Sequence, residues 1–183
     1  MNPVMRNRLI GLFIAVAIFA ADQYVKWLVV GPLNLRGQPD GVIGLLPFFD
    51  LRWTQNFGVS LGMFQATSME SRWILVAVTA GIALVVTIWM LREKLFGDII
   101  GLALILGGAL GNIKDRYELG YVIDYADLHF GTFRPFLIFN IADAAITIGV
   151  VIILARSFFL RDKSGRDKNE AGTNEAAPNA AES

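Results

Sequence analysis

Two aspartates in an apolar context are the residues of this sequence that could perform chemistry. Asp143 lies in the motif FNIAD within a long apolar run, with Asn140 three residues before it and no cation within a helical turn. Asp124 lies in YVIDY, shortly after a Gly/Ala-rich apolar stretch. A carboxyl group in an apolar environment is costly unless partners compensate for it, so both are candidates for function. A packing hydrogen bond between helices is the alternative role for Asn140 and Asp143.

Two carboxyl groups that approach each other suit hydrolysis by a dyad that shares a proton. Both cannot ionise cheaply, so one keeps a proton while the other remains basic. The basic group would activate water, and the acidic group would protonate the departing amine. We therefore predict that Asp124, from a loop, and Asp143, from a helix, meet at the boundary of the apolar segments.

Other polar residues in these segments have candidate roles in binding or support. Asn112, Asp115 and Arg116 fall on one helical face, because their spacings are three and four. Asp22 and Lys26 are four apart in the first apolar segment, and we predict a structural ion pair between them rather than catalysis.

Five further positions have simpler interpretations. Gly107 and Gly111 form a small-xxx-small pair that lets another helix approach, which serves packing. Asp98 is predicted to be an exposed residue in the first turn of a helix. Asp127 and His129 follow Asp124 in the same loop and are predicted to be solvated.

The composition argues against several classes of protein. The 183 residues include no Cys, a single His, and 16 acidic against 16 basic residues. Thiol catalysis, disulfides and cysteine metal sites are thereby removed, and one His without a His-x-x-x-His pair argues against catalytic zinc. The sequence has no basic stripe, so nucleic acid is not an expected partner. We expect no metal and no cofactor.

The elements that must position these residues are membrane-spanning helices. Hydrophobic residues make up 55% of the chain, and its mean hydropathy is +0.53. Four segments, 9–30, 73–91, 95–113 and 136–160, are apolar enough and long enough to cross ~30 Å of hydrocarbon. Helices satisfy their own backbone groups in lipid, so we predict an all-α membrane protein of four transmembrane helices.

The distribution of Lys and Arg predicts the orientation of these helices. Basic residues near the helix ends favour the cytoplasm, which places both termini there and the loops 31–72 and 114–135 on the outer side. The residues concerned are Arg6, Arg8, Arg92, Lys94, Arg156, Arg161 and Lys163. Although Arg6 and Arg8 before a short apolar run imitate a secretory signal, we expect a retained first helix. Residues 1–160 would form one four-helix transmembrane domain that includes the outer loops, and the polar segment 161–183 a disordered cytoplasmic tail.

Five motifs in order give this chain a resemblance to a known family. They are ADQYVKW in the first span, TQNFGVSLGMF in the first outer loop, GGALGNIKDR at the end of the third span, GYVIDYADLHF after it, and FNIADAAITIG in the fourth. Together they resemble the lipoprotein signal peptidases of bacteria, also called signal peptidase II. The resemblance implies an aspartic endopeptidase of the inner membrane that removes signal peptides from diacylglyceryl-modified prolipoproteins, before the lipidated cysteine.

The resemblance also implies roles for individual residues. The catalytic pair falls on Asp124 and Asp143. Substrate-positioning residues fall on Asn56, Gly58, Asn112, Arg116 and Asn140, and supporting residues on Asp22, Lys26 and Asp115. The family's outer loops form a small extracytoplasmic β-like cradle and a short helical lid, and residues 41–64 have the β-branched and aromatic content for such strands.

Two positions depart from the family pattern. Lys114 stands where an apolar residue is expected, and Tyr125 replaces a more usual Phe. We expect Lys114 to extend its amine to water or headgroups.

Two alternative functions use the same carboxylates. A proton-coupled transporter could use Asp22, Asp115 and Asp143 as a relay, and a membrane assembly factor could use its carboxylates only for packing. Asp124 separates these alternatives, because only hydrolysis needs this loop carboxylate beside Asp143.

Overall fold

The structure is a computed structural model that describes residues 1–58 and 68–175, with side chains described up to residue 158. Four helices are present in these ranges: α1 (Pro3–Val30), α2 (Met69–Arg92), α3 (Phe96–Glu118) and α4 (Ile141–Glu175). Each contains a segment long and apolar enough to cross a membrane. The prediction of four transmembrane helices is therefore confirmed.

Helix α3 is the centre of the bundle, and it packs against each of the other three helices. Half of its most apolar window is buried, compared with 11% to 17% of the corresponding windows in α1, α2 and α4. Glycines make this close packing possible. A Cβ on Gly107 would lie 2.5 Å from the Ala15 carbonyl of α1, and one on Gly108 would collide with the Ala142 carbonyl of α4. The Gly/Ala-rich sequence of α3 thus allows two neighbouring backbones to approach it.

A small antiparallel sheet lies at the end of the bundle where α3 ends. Its strands β1 (Val42–Leu46), β2 (Phe49–Asn56) and β3 (Val122–Leu128) are ordered β1-β2-β3. The register places Asp124 opposite Thr54 and Val122 opposite Asn56. Six of the seven residues of β3 are buried, because the sheet packs on the bundle and Phe139 adds a further backbone pairing at Ala126. The predicted β-like cradle is confirmed.

The fourth helix begins later than the sequence predicts. We expected a span from residue 136, with Asp143 about two turns inside it, whereas α4 begins at Ile141 and Asp143 is in its first turn. The cause is the pairing of the preceding segment with β3, in which the Phe139 N–H donates to the Ala126 carbonyl. Asp143 therefore lies at the N-terminus of the helix, next to the sheet.

Two further expectations concern the C-terminal segment and the first outer loop. Helix α4 continues as far as Glu175, whereas the sequence predicts disorder from residue 161, and residues 176–183 lie outside the described ranges. The division into a transmembrane domain and a cytoplasmic tail stays a prediction. The short lid also stays a prediction, since residues 59–67 of the first outer loop lie outside the described residues.

Candidate active site

Strand β3 holds Asp124 in a buried position between two asparagine side chains. Asp124 is 2% exposed. Asn56, from the adjacent strand β2, donates a 3.0 Å hydrogen bond to Oδ2, and Asn140 donates a 2.7 Å hydrogen bond to Oδ1. The pairing of β2 with β3 brings Asn56 to this carboxyl, so the sheet fixes one side of the site.

Helix α4 holds Asp143 through the cap at its own N-terminus. The Asp143 N–H donates to the Asn140 side-chain oxygen at 2.9 Å, and the Asn140 N–H donates to Asp143 Oδ2 at 3.3 Å. This reciprocal arrangement is a capping box, in which side chains satisfy the free N–H groups of a first helical turn. Asn112, from α3, donates a 2.8 Å hydrogen bond to Asp143 Oδ1.

Asn140 and Asn112 connect the two carboxyl groups. The Asn140 amide nitrogen that contacts Asp124 also lies 3.2 Å from the side-chain oxygen of Asn112, and Asn112 in turn contacts Asp143. Residues from β3, α3 and the start of α4 thus form one hydrogen-bonded unit. The structure brings Asp124 and Asp143 to this unit from separate elements.

The environment of Asp124 favours its protonated form near neutral pH. Burial, and after it the negative charge of Asp143, raise the pKa of Asp124 to about 7. The hydrogen bonds from Asn56 and Asn140 and the charge of Lys26 act in the opposite direction but are outweighed. A carboxyl group that titrates near neutrality can take up or release a proton during a reaction.

Arg116 and Gly58 lie beside the carboxyl groups. The Arg116 side chain is buried, and its Nη2 donates a 2.7 Å hydrogen bond to the Gly58 carbonyl. The Gly58 N–H donates to the Asn56 side-chain oxygen at 3.0 Å, which orients the amide that contacts Asp124. Arg116 Nε is buried without a hydrogen-bond partner in the part of the chain that the structure describes. A buried donor of this kind calls for a partner that the described residues do not supply.

A buried ion network within the helix bundle holds residues that contact the dyad unit. Lys26 Nζ lies 2.8 Å from Asp22 Oδ2 and 2.8 Å from Asp115 Oδ2, and it donates to the Asn112 side-chain oxygen at 3.2 Å. The predicted contact between Asp22 and Lys26 is therefore present, and the lysine also serves a second carboxylate. Asp22 Oδ1 accepts from the Ala142 N–H at 3.1 Å, which joins α1 to the start of α4.

Three residues have surroundings that differ from the sequence prediction. Asp127 is fully buried between Arg52 and Arg134, so the prediction of a solvated loop residue is wrong. His129 is also largely covered, with Nε2 3.1 Å from Asp50 Oδ2. Both changes arise because the predicted loop is strand β3 and its continuation. Asp98 is paired rather than simply exposed, since Arg156 Nε lies 2.6 Å from it.

The two departures from the family pattern have local explanations. Lys114 forms a 2.6 Å ion pair with Glu118 one turn later, and both side chains are at least 40% exposed, so the lysine charge is directed away from the site. Tyr125 is buried in an apolar cluster with Val29 and Leu35, as a Phe would be, and its hydroxyl has no hydrogen-bond partner among the described residues.

Sequence reasoning missed two polar residues that hold the site together. Gln23 donates to Asp22 Oδ2 at 3.2 Å and to Asp115 Oδ1 at 3.0 Å, so it bridges the two carboxylates. Arg72, in the first turn of α2, donates to the backbone carbonyl of Arg116 at 2.8 Å and to that of Tyr117. A polar amide inside an apolar span was a usable signal for Gln23, whereas Arg72 acts on backbone carbonyls at a helix C-terminus, which no sequence motif marks.

Comparison with protein families identifies related sequences over most of the chain. Residues 14–159 match the family model described as Signal peptidase (SPase) II. A lipoprotein signal peptidase of Sphingopyxis alaskensis is 54% identical over 165 residues, which cover 90% of this chain and 92% of the relative. A lipoprotein signal peptidase of Nitrobacter hamburgensis is 40% identical over 153 residues, which cover 81% of this chain and 91% of the relative.

Two solved structures of bacterial membrane enzymes align with most of this chain. A bacterial membrane enzyme determined by the in meso method at 2.3 Å resolution aligns with a TM-score of 0.70 and 25% identity, covering 85% of this chain and 90% of its own. A second, at 1.9 Å resolution, aligns with a TM-score of 0.66 and 26% identity, covering 79% and 90% respectively.

Proposed function

Because this chain belongs to the signal peptidase II family and is a multi-pass membrane peptidase, we propose that Asp124 and Asp143 form the dyad by which it hydrolyses its substrate. The single observation that carries this assignment is the hydrogen-bonded unit of Asp124, Asn140, Asn112 and Asp143, in which one strand carboxylate and one helix carboxylate share partners. The family assignment predicted from the sequence motifs is confirmed. The residue roles are the proposal.

In the proposed reaction, one aspartate is ionised and the other holds a proton. The ionised carboxylate removes a proton from water, which attacks the scissile carbonyl, and the protonated carboxyl donates its proton to the departing amine. A pKa of about 7 for Asp124 supports this division, because a buried carboxyl with that value exists in both forms at neutral pH. Arg116 and Asn56 would position the substrate backbone beside the dyad.

The proposed substrate is a prolipoprotein whose cysteine carries a diacylglyceryl group. The relatives in Sphingopyxis alaskensis and Nitrobacter hamburgensis are named for lipoprotein signal peptides, which supports the substrate class for this chain. The position of the site at the mouth of α4 also supports it. A signal peptide helix can approach from the bilayer, with its acyl chains in lipid and its cleavage site just before the modified cysteine.

The proposed orientation places both termini in the cytoplasm and the sheet with the dyad on the outer side of the inner membrane. Basic residues at the opposite helix ends support it. Reporter fusions test this proposal: a reporter after residue 183 should be cytoplasmic, and one inserted between residues 36 and 40 should be outside. The reverse pattern would put the dyad on the wrong side for exported substrates.

Cleavage of a defined substrate tests the activity. Purified protein should shorten a diacylated prolipoprotein to a product whose N-terminal residue is the lipidated cysteine, as mass spectrometry would show. Asp124→Asn and Asp143→Asn should each abolish the product while the variants still insert and fold. Lys114→Gln, which changes an exposed residue of the same region, is the matched control and should cleave normally. Full activity in either aspartate variant would contradict the dyad.

A further inference from the structure

Two arginines that converge on one buried carboxylate form a charged cluster on the sheet, separate from the proposed dyad. Asp127 is 0% exposed, and it contacts Arg52 Nε of strand β2 at 2.9 Å and Arg134 Nε of the following loop at 3.0 Å. Burial alone would raise the pKa of Asp127, but the hydrogen bonds and charges of the two arginines outweigh burial and lower it. Asp127 is therefore ionised at neutral pH and keeps both arginines in place.

The cluster of Arg52, Asp127 and Arg134 carries more positive charge than the buried carboxylate needs. Two arginines therefore face one carboxylate within this cluster, and Asp50, paired opposite Asp127 in the sheet, supplies the next negative charge. Each arginine contacts Asp127 through Nε, and the Nη nitrogens of both have no hydrogen-bond partner within residues 1–58 and 68–158. Their side chains are 34% and 44% exposed, so these donors are open to a ligand from outside. The nearby Asp50 carboxylate already contacts His129 at 3.1 Å.

The loop that carries Arg134 indicates where this ligand would come from. Four large apolar side chains of the loop, Phe130, Phe133, Phe136 and Leu137, are between 58% and 65% exposed. The loop leads directly into α4 at Ile141, which begins a membrane span. Exposed aromatic residues beside the end of a span are typical of the boundary between acyl chains and headgroups.

We propose that Arg52 and Arg134, held by Asp127, form a binding site for the phosphate group of a membrane phospholipid, whose acyl chains pack against the exposed aromatic loop. Guanidinium groups bind phosphate through paired N–H donors, and two guanidinium groups fixed on one carboxylate are already oriented for it. Arg52 belongs to strand β2 of the cradle around Asp124, and the loop of Arg134 follows strand β3 of the same sheet. A lipid bound to both would hold the sheet, and with it Asp124, at a fixed depth relative to the membrane surface.

Lipid retention measures this site without reference to cleavage, so failure of this proposal and failure of the proposed peptidase chemistry are distinguishable. Purified protein in detergent is titrated with a dimyristoyl phospholipid and, separately, with dimyristoylglycerol, which has the same chains but no phosphate. Native mass spectrometry gives the fraction bound. Since charge-assisted hydrogen bonds supply the difference, we expect the phospholipid to bind about tenfold more tightly.

Variants test the residues in the same titration. Replacing only one arginine could leave Asp127 poorly compensated, so the main variant is the neutral triple change Arg52→Gln, Asp127→Asn and Arg134→Gln. It should fold, as judged by thermal unfolding, and bind both lipids equally. Arg36→Gln removes an exposed outer arginine that lies outside the cluster, and it should retain the preference for phospholipid.

Three outcomes would overturn the proposal. Equal binding of the two lipids by the unchanged protein would show that phosphate is not recognised. A folded triple variant with undiminished preference would show that these arginines do not recognise it. Binding of inorganic phosphate alone as tightly as the phospholipid would assign the cluster to a free anion rather than to a lipid.

Discussion

The side-chain amide of Asn140 donates a 2.7 Å hydrogen bond to Asp124, while its side-chain oxygen accepts a 2.9 Å hydrogen bond from the Asp143 N–H. One asparagine therefore contacts the carboxylate of strand β3 with one atom and caps the helix that carries the other carboxylate with a second atom. These two functions can be separated by substitution.

We predict that Asn140→Ser and Asn140→Ala lose cleavage to the same extent but differ from each other in stability. Serine can still cap α4, whereas alanine cannot, and a lost cap costs about 1 kcal/mol. Both substitutions remove the donor to Asp124, so cleavage by both should fall, by up to about a hundredfold if the dyad is misplaced. Thermal unfolding and cleavage per folded molecule measure the two effects. Normal cleavage by a well-folded Asn140→Ser would contradict the role of this donor.

The pKa of Asp124 predicts how stability depends on pH. Its value is about 7 in the folded protein, above the ordinary value for an aspartate near 3.8. The folded state therefore holds this proton more tightly than the unfolded state does. The stabilisation is fully present below pH ~3.8 and is lost progressively as the pH rises toward 7. Above pH 7 the ionised carboxyl carries the full cost of burial.

We therefore predict that Asp124→Asn removes this part of the pH dependence. The unfolding midpoint of the unchanged protein should fall as the pH rises from about 4 to about 7, and that of the variant should fall less. Asp40→Asn is the matched control, because this exposed aspartate precedes strand β1 and lies outside the dyad unit. Parallel curves for unchanged protein and Asp124→Asn would show that Asp124 does not titrate in this range.

The sequence was sufficient to predict elements defined by hydrophobicity and glycine. Four spans, the strands around Trp53, and the contact between Asp22 and Lys26 follow from composition and from helical spacing of three or four. The start of α4 could not be predicted. Residues 135–140, PFLIFN, are as apolar as the membrane-spanning part of the helix that follows, yet they pair with β3 through Phe139. Tertiary pairing decided between the two conformations, and sequence periodicity does not contain that information.

The candidate site shows the same division. Asp124, Asp143 and Asn140 were identifiable as polar residues in apolar segments. The burial of Asp127 was not, since Arg52 is 75 residues away in the chain and reaches Asp127 only through the pairing of β2 with β3. Arg72 was missed for a related reason, because its partners are backbone carbonyls, which are the same for every sequence.

Glycine packing between α1 and α3 predicts a contrast between two identical substitutions. A Cβ at Gly111 would collide with Oδ2 of Asp22, which is buried in the ion network, whereas a Cβ at Gly81 of α2 would meet nothing within 4 Å. Gly111→Ala should therefore destabilise the fold by about 1–3 kcal/mol. Gly81→Ala should be neutral or stabilise it by up to about 1 kcal/mol, because alanine favours helix. Comparable unfolding midpoints for the two variants would contradict the close approach of the helices.

The ion network around Lys26 predicts a graded series of stabilities. Asp22 and Asp115 both lie 2.8 Å from Lys26 Nζ, and all three side chains are at most 4% exposed. Lys26→Ala leaves two carboxylates in a buried site, so we expect a loss of about 3–5 kcal/mol. Adding Asp22→Ala should restore part of the folded yield, and adding Asp115→Asn as well should restore more, because no uncompensated charge remains.

Cleavage by the folded fraction of these variants separates support from chemistry. Lys26 also donates to Asn112, which contacts Asp143, so loss of the network should misplace the dyad slightly and reduce cleavage per folded molecule by up to about a hundredfold. Asp124→Asn, by contrast, should leave no measurable cleavage. If the double variant of Asp22 and Lys26 is well folded and as inactive as Asp124→Asn, then one of these two residues takes part in catalysis or substrate binding, and their supporting role is wrong.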